Sequence, residues 1–185
     1  MYFQRSLKDV WLEASGQFPV LLLTGPRQVG KTTFLQHVRE KGRTYVTLDD
    51  PSARALAADD PGLFLSRFEP PILIDEIQYA PALLPYIKMM VDSQRQAGQF
   101  WLTGSQQFGM LSSITQSLAG RVGLVQLLPL SLRELRDAGL LPENLDALLW
   151  RGGYPPIHDR ALAPDELGAP RGDVDRRDAA ALTPG

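Results

Sequence analysis

The nine residues Gly25-Pro26-Arg27-Gln28-Val29-Gly30-Lys31-Thr32-Thr33 constrain this chain more than any other stretch. An apolar run, Phe18 to Leu23, precedes them, and helical spacing follows from Phe34 to Lys41. Strand, glycine-rich loop, helix is the setting in which G-x-x-x-x-G-K-[ST] reads as a phosphate cradle. Glycines let the backbone curl and bring its N–H groups against phosphate oxygens with no Cβ in the way. The helix that starts near Lys31 adds the partial positive charge of its N-terminus to the same place. In this reading Lys31 reaches the β- and γ-phosphates, and the Thr32 hydroxyl completes the shell of a Mg²⁺ ion.

A second signal stands further on. Ile72-Leu73-Ile74 runs into Asp75-Glu76, 44 residues after Lys31. A branched apolar run ending in acids is a buried strand that delivers carboxylates at its C-terminal end, where open parallel sheets bind ligands. Asp75 is expected to hold Mg²⁺, mostly through water, and Glu76 to orient or deprotonate a water attacking the γ-phosphate. The alternative is a solvated strand end, which the pairing with the loop disfavours.

Three more apolar runs complete the sheet: Thr44 to Leu48, Phe100 to Leu102, and Val122 to Leu128, which Pro129 ends. With the runs at Val20 and Ile72 they predict an α/β fold of the P-loop NTPase type. That is a three-layer sandwich around a central, mostly parallel five-stranded sheet. Leu7, Val10, Trp11 and Ala14 fall on one face of a short N-terminal helix over residues 5–15, ended by Gly16. The phosphate-loop helix is expected to stop at Gly42, with His37 on its surface. Asp49 and Asp50 could touch a metal-bound water, but the following Pro51 favours a helix cap. The helix after Tyr79-Ala80-Pro81 buries Leu83, Leu84, Ile87 and Val91, with Met89 and Met90 as core candidates and Gly98 closing it.

Thr103-Gly104-Ser105-Gln106-Gln107 is a strand end of small polar residues, where Ser105 or Gln106 could sense a γ-phosphate. Arg121, just before the fifth strand, is either an arginine finger, for its own or a neighbouring subunit's site, or a plain ion-pair residue. Ser131 and Glu134 form a capping box. Asn144 to Trp150 reads as a last helix and Arg151 to Pro156 as a turn.

Composition narrows the function classes. A net charge of −2 offers no global basic field for nucleic acid, and the absence of cysteine removes disulfides and thiolate metal sites. No apolar run approaches the roughly 18 residues a membrane span needs, and the N-terminus has no signal-peptide core, so the chain reads as cytoplasmic. From Asp159 onward the chain is rich in Ala, Asp, Arg, Pro and Gly, without periodicity, and is expected to be disordered.

The segments L-L-T-G-P-R-Q-V-G-K-T-T (Leu22 to Thr33), D-E-I-Q (Asp75 to Gln78), L-T-G-S-Q-Q (Leu102 to Gln107), S-L-A-G-R (Ser117 to Arg121) and L-P-L-S (Leu128 to Ser131) stand in order. On them the chain resembles the ATP-binding AAA-type family of prokaryotic P-loop proteins. The resemblance implies ATP rather than GTP, and a strand inserted between the phosphate-loop strand and the Asp75 strand. It implies an ATP-binding domain over residues 1–157. Family members continue past the G-G-Y-P segment, here Gly152 to Pro155, into a helical C-terminal domain. Residues 158–185 do not look like its start, so that domain is expected to be absent.

The functional expectation is an ATPase that uses Gly25 to Thr33 for ATP, Thr32 and Asp75 for Mg²⁺, and Glu76, Ser105 and Arg121 for catalysis. A protein or DNA partner and homo-oligomerisation are expected. The competing expectations are an ATP-switched interaction module with little hydrolysis and, less favoured, a small-molecule kinase.

Overall fold

The structure is a computed structural model that describes residues 2–159 except 95, 105–107 and 143. Chain order gives α1 (Lys8–Ser15), β1 (Val20–Thr24), α2 (Lys31–Val38), β2 (Thr44–Thr47), α3 (Pro51–Asp59), α4 (Pro61–Arg67) and β3 (Ile72–Asp75). A 3₁₀ turn (Ile77–Tyr79) leads to α5 (Leu83–Gln94), β4 (Phe100–Thr103), α6 (Phe108–Ser117) and β5 (Val122–Gln126). The chain then makes α7 (Leu132–Asp137), α8 (Leu145–Arg151) and α9 (Pro155–Asp159).

The five strands form one sheet in the order β2-β3-β4-β1-β5, every pairing parallel. β4 therefore lies between the loop-bearing strand β1 and the acid-bearing strand β3, as the resemblance implied. β1, β3 and β4 are buried along their whole length, which is why their sequences are unbroken apolar runs rather than alternations.

Period-two geometry divides those runs between two cores. Val20, Leu22, Ile72, Ile74, Phe100 and Leu102 face α3, α4, α5 and α6 through Ala57, Phe64, Ile87 and Ile114. Leu21, Leu23, Leu73 and Trp101 face α1 and α2 through Trp11, Phe34 and Leu35. Trp11 meets both Trp101 and Phe34 edge-on, with ring centroids 5.3 and 6.3 Å apart. Helix, sheet, helix is the three-layer arrangement read from the sequence.

Local expectations were corrected at several points. α2 ends at Val38, with Arg39 extended, three residues before Lys41 and short of Gly42. Val10 is 55% exposed and Met89 68% exposed, so neither joins the core. α5 stops at Gln94, leaving Gly98 in the turn before β4 at φ +70°. β5 ends at Gln126 rather than Leu128. Pro155 and Pro156 open α9 instead of forming a turn, because proline suits a first helical turn. α9 also takes in residues 158 and 159; the rest of the expected tail lies outside the described residues.

Candidate functional site

The cleft lies at the C-terminal edge of the sheet, where β1 and β3 release the loop and the acids. Gly25 sits at φ +152°, and a Cβ built on it would stand 2.3 Å from the Leu127 carbonyl oxygen, so only glycine fits. Gly30, at φ +90°, is the N-cap of α2. Between them Gln28 is also left-handed, at φ 62°. These turns fold the loop over the start of α2 and leave a cleft of about 350 Å³, bordered by Arg27, Lys31, Thr32, Glu76, Gln78 and Tyr79.

Lys31 is 7% exposed, and its ammonium donates to the Gly25 and Pro26 carbonyls, each at 3.0 Å. Burial lowers its pKa, and the charges of Glu76 and Asp75 work against that. Both carbonyls belong to its own loop, so a phosphate can replace them without unfolding anything.

Asp75 gathers hydroxyls from three other elements. Thr32 Oγ1 donates to Oδ1 at 2.9 Å and to Oδ2 at 3.0 Å. Tyr45, from β2, donates to Oδ2 at 3.3 Å, and Thr103, at the end of β4, donates to Oδ1. Burial raises the Tyr45 pKa, reinforced by the Asp75 charge. Thr103 Oγ1 also accepts from the Glu76 N–H at 2.9 Å, so one hydroxyl fixes both acids. Glu76 adopts left-handed backbone, φ 59° and ψ 50°, and its carboxylate accepts from Gln78 Nε2.

The loop's other side meets the two ends of the described chain. Tyr2, Phe3, Val29, Phe34, Pro155 and Pro156 border a hollow of about 280 Å³ that also touches Gly30 and Thr33. Arg5 ties these parts together: its guanidinium donates to the Val29 carbonyl at 3.1 Å, to the Leu128 carbonyl, and to Glu134 Oε1 at 3.2 Å. Glu134 also accepts from the Ser6 and Ser131 N–H groups at 2.7 and 2.8 Å. The capping box at Ser131 and Glu134 is present as read, and it doubles as an anchor for the N-terminus.

The structure thus unites Lys31, Thr32, Asp75 and Glu76 and adds Tyr45 and Thr103. Ser105 and Gln106 lie outside the described residues. Arg121 does not join the cleft: it precedes β5, whose Val122 pairs with Val20 at the opposite edge of the sheet, and its guanidinium is paired with Asp92. An arginine finger for its own site is therefore replaced by the ion-pair alternative. Asp50 caps α3, accepting from the Ser52 and Ala53 N–H groups, and Asp49 has no part in the cleft.

A family model described as an AAA domain matches residues 17–136. The chain is a member of that AAA-domain family. That family is one of AAA-type P-loop ATPases. Uncharacterized proteins of Mycobacterium tuberculosis and Mycobacterium bovis are each 39% identical over 139 residues, which is 75% of this chain. The match spans 30% of the length of these curated relatives.

Among solved structures, AMPPCP-bound DnaA from Aquifex aeolicus superposes with a TM-score of 0.54 at 16% identity, over 94% of this chain and 62% of that one. A Walker-type ATPase of Pyrococcus abyssi gives 0.52 at 20% identity, over 83% and 65%. Both are likenesses of fold. No helix among the described residues is long and apolar enough to cross a membrane.

Proposed function

We propose that this AAA domain hydrolyses ATP to ADP and phosphate in the cleft between Lys31 and Glu76, and acts in the cytoplasm on a protein or DNA partner. The observation that carries the reading is the Thr32 hydroxyl shared between both oxygens of Asp75, 43 residues away, beside a lysine held by two carbonyls of its own loop.

Glycine-shaped backbone and the α2 N-terminus would bind the phosphates, and Lys31 would move from its own carbonyls to the β- and γ-oxygens. Thr32 and Asp75 offer only oxygen donors, the set a small hard cation prefers, so they fit Mg²⁺. When bound, that ion neutralises phosphate charge. Tyr45 and Thr103 would keep the Asp75 carboxylate turned toward Thr32 as the nucleotide enters.

Glu76 accepts a proton from water as the water oxygen bonds to the γ-phosphorus. The bond to the bridging oxygen breaks, and ADP leaves with its electron pair. The adenine base fits the hollow bordered by Tyr2, Phe3 and Pro155, whose aromatic and apolar walls suit a flat ring. Arg121 can stabilise transferred charge only in a neighbouring subunit's site, which would require a homo-oligomer.

The test is ATP turnover and ATP binding measured side by side on this chain and on Glu76→Gln. Turnover that disappears in Glu76→Gln while binding persists supports hydrolysis. Tight binding with negligible turnover in both variants points to an ATP-switched interaction module instead.

A further inference from the structure

Phosphoryl transfer builds charge on the γ-oxygens and the leaving bridge, and a cation beyond the loop lysine speeds the step. Arg121 does not supply it to its own site, being paired with Asp92 at the opposite edge of the sheet. Two arginines nearer the cleft are already engaged. Arg5 is held by the Val29 and Leu128 carbonyls and by Glu134. Arg54 donates to the Leu48 carbonyl at 2.7 Å and lies 4.2 Å over the Tyr79 ring.

Arg27 is different. It is exposed in the phosphate loop itself, and its guanidinium has no hydrogen bond, ion pair or ring contact among the described residues. The fold of the loop sets the side on which it stands. Gln28, Gly30 and Thr33 border both hollows that flank the loop, whereas Arg27, Lys31 and Thr32 border only the one that contains Glu76. The left-handed turn at Gln28 separates Arg27, beside the cleft, from Val29, which is buried in the core. Burial is the main cause that lowers the Lys31 pKa, and the Arg27 charge acts in the same direction, so the two cations feel one another across the loop. Like charges held this close are relieved by an anion between them.

We propose that Arg27 is a catalytic residue, an arginine finger that the phosphate loop supplies to its own site. It contacts the γ-phosphoryl group, and more strongly during transfer than in bound ATP. This rests on the reading of the cleft as a hydrolase site. As the water oxygen bonds to the γ-phosphorus, its proton passes to Glu76, the bond to the bridging oxygen breaks, and ADP leaves with the electron pair. Arg27 makes and breaks no covalent bond. Its planar fork of N–H donors matches two oxygens of the departing group at once. Having no partner to leave, it swings in without breaking anything. A site that carries its own arginine turns over without a neighbouring subunit.

The test compares wild type, Arg27→Ala, Arg27→Lys and Glu76→Gln. Arg27→Ala should lower kcat about 10²-fold while AMPPNP affinity stays within about threefold. Its melting temperature should not change, because the side chain has no contact to lose. Arg27→Lys should recover little of the rate, because an ammonium lacks the fork. A mixture of Arg27→Ala and Glu76→Gln should stay inactive, since neither chain can repair the other's site. An unchanged kcat, an affinity loss as large as the rate loss, or activity restored by mixing each overturns the proposal.

A second measurement needs no turnover. ADP with Mg²⁺ and aluminium fluoride mimics the group in transfer, so wild type should bind ADP more tightly with the fluoride than without it. Arg27→Ala should lose most of that gain and keep its affinity for ADP alone. A wild type with neither turnover nor a fluoride gain overturns hydrolysis itself, and the role of Arg27 with it. A wild type that shows both, matched by Arg27→Ala, overturns the role of Arg27 alone.

Discussion

The two edges of the central sheet both bury a cation, and they treat it in opposite ways. At the C-terminal edge Lys31 is held by two carbonyls of its own loop. At the N-terminal edge Arg43, 5% exposed, donates to the Ile72 and Gly98 carbonyls at 3.3 and 2.8 Å and to Glu40 at 3.1 Å. Its guanidinium also lies 3.9 Å over the Trp101 ring. Burial lowers the pKa of both groups.

Besides the exposed Glu40 carboxylate, the partners of Arg43 are main-chain atoms from β3 and from the turn before β4, plus a core ring, and these cannot be replaced without opening the sheet. The partners of Lys31 are two carbonyls of the loop that precedes it. On the proposed function, the buried charge with fixed partners is scaffold and the one held only by its own loop serves the site. Size gives the opposite answer: a hollow of about 900 Å³ lies at the Arg43 edge, and the phosphate-loop cleft is about 350 Å³.

This contrast can be broken most directly at Lys31. Lys31→Ala should lower ATP turnover by about 10²–10³-fold, the scale of losing one charged donor to a transferring group. It should not lower the melting temperature, because burial disfavours the ammonium. A large loss of stability would put Lys31 with the scaffold.

Arg43→Ala should do the reverse and cost about 3 kcal/mol of unfolding free energy in urea titrations. ATP affinity of the folded protein should be unchanged. Arg43→Lys should recover little of the loss, because an ammonium replaces neither the fork of donors nor the flat stack on Trp101.

Thr103→Val sharpens the comparison from the cleft side. Losing the hydroxyl that binds both Asp75 and the Glu76 N–H should cost about 2 kcal/mol and reduce turnover more than ATP binding. Equal losses in both would mean that Thr103 only stiffens β4.

Glu134 allows a test by pH. Burial acts to raise its pKa, but the Ser131 and Ser6 N–H groups and the Arg5 charge outweigh it and hold the carboxyl below its ordinary value. A depressed acid contributes stability above its unfolded pKa and loses it as the pH falls through the folded value. Wild type should therefore lose stability on acidification below the ordinary glutamate range more steeply than Glu134→Gln, in melting curves taken across that range.

The smallest effect belongs to Arg121, half-buried and paired with Asp92 near the surface. Arg121→Ala should leave the melting temperature unchanged and turnover unchanged in dilute protein. A turnover defect that appears only as protein concentration rises would assign Arg121 to a neighbouring subunit's site.

Much of the cleft was legible along the chain. Gly25, Gly30, Lys31 and Thr32 sit within one loop, where backbone geometry alone sets their separation, so spacing in sequence is spacing in space. Asp75 was legible because a continuous apolar strand must end somewhere, and in a parallel sheet it ends at the ligand edge. Asp50 was legible as a cap for the same local reason, through the proline that follows it.

Tertiary packing decided the rest. Tyr45 and Thr103 reach Asp75 only because β2 and β4 flank β3, a neighbourhood that no motif in either strand announces. The hollow beside the loop joins Tyr2 to Pro155, and Arg5 reaches Glu134 from the far end of the chain. Sequence left Arg121 open between a finger and an ion pair, and strand direction decides for its own site by carrying it to the opposite edge, beside Asp92. Local spacing is imposed by the covalent backbone and survives in any fold that keeps the motif. Distances between elements arise from how two apolar faces close on one sheet, and they exist only once the whole chain has packed.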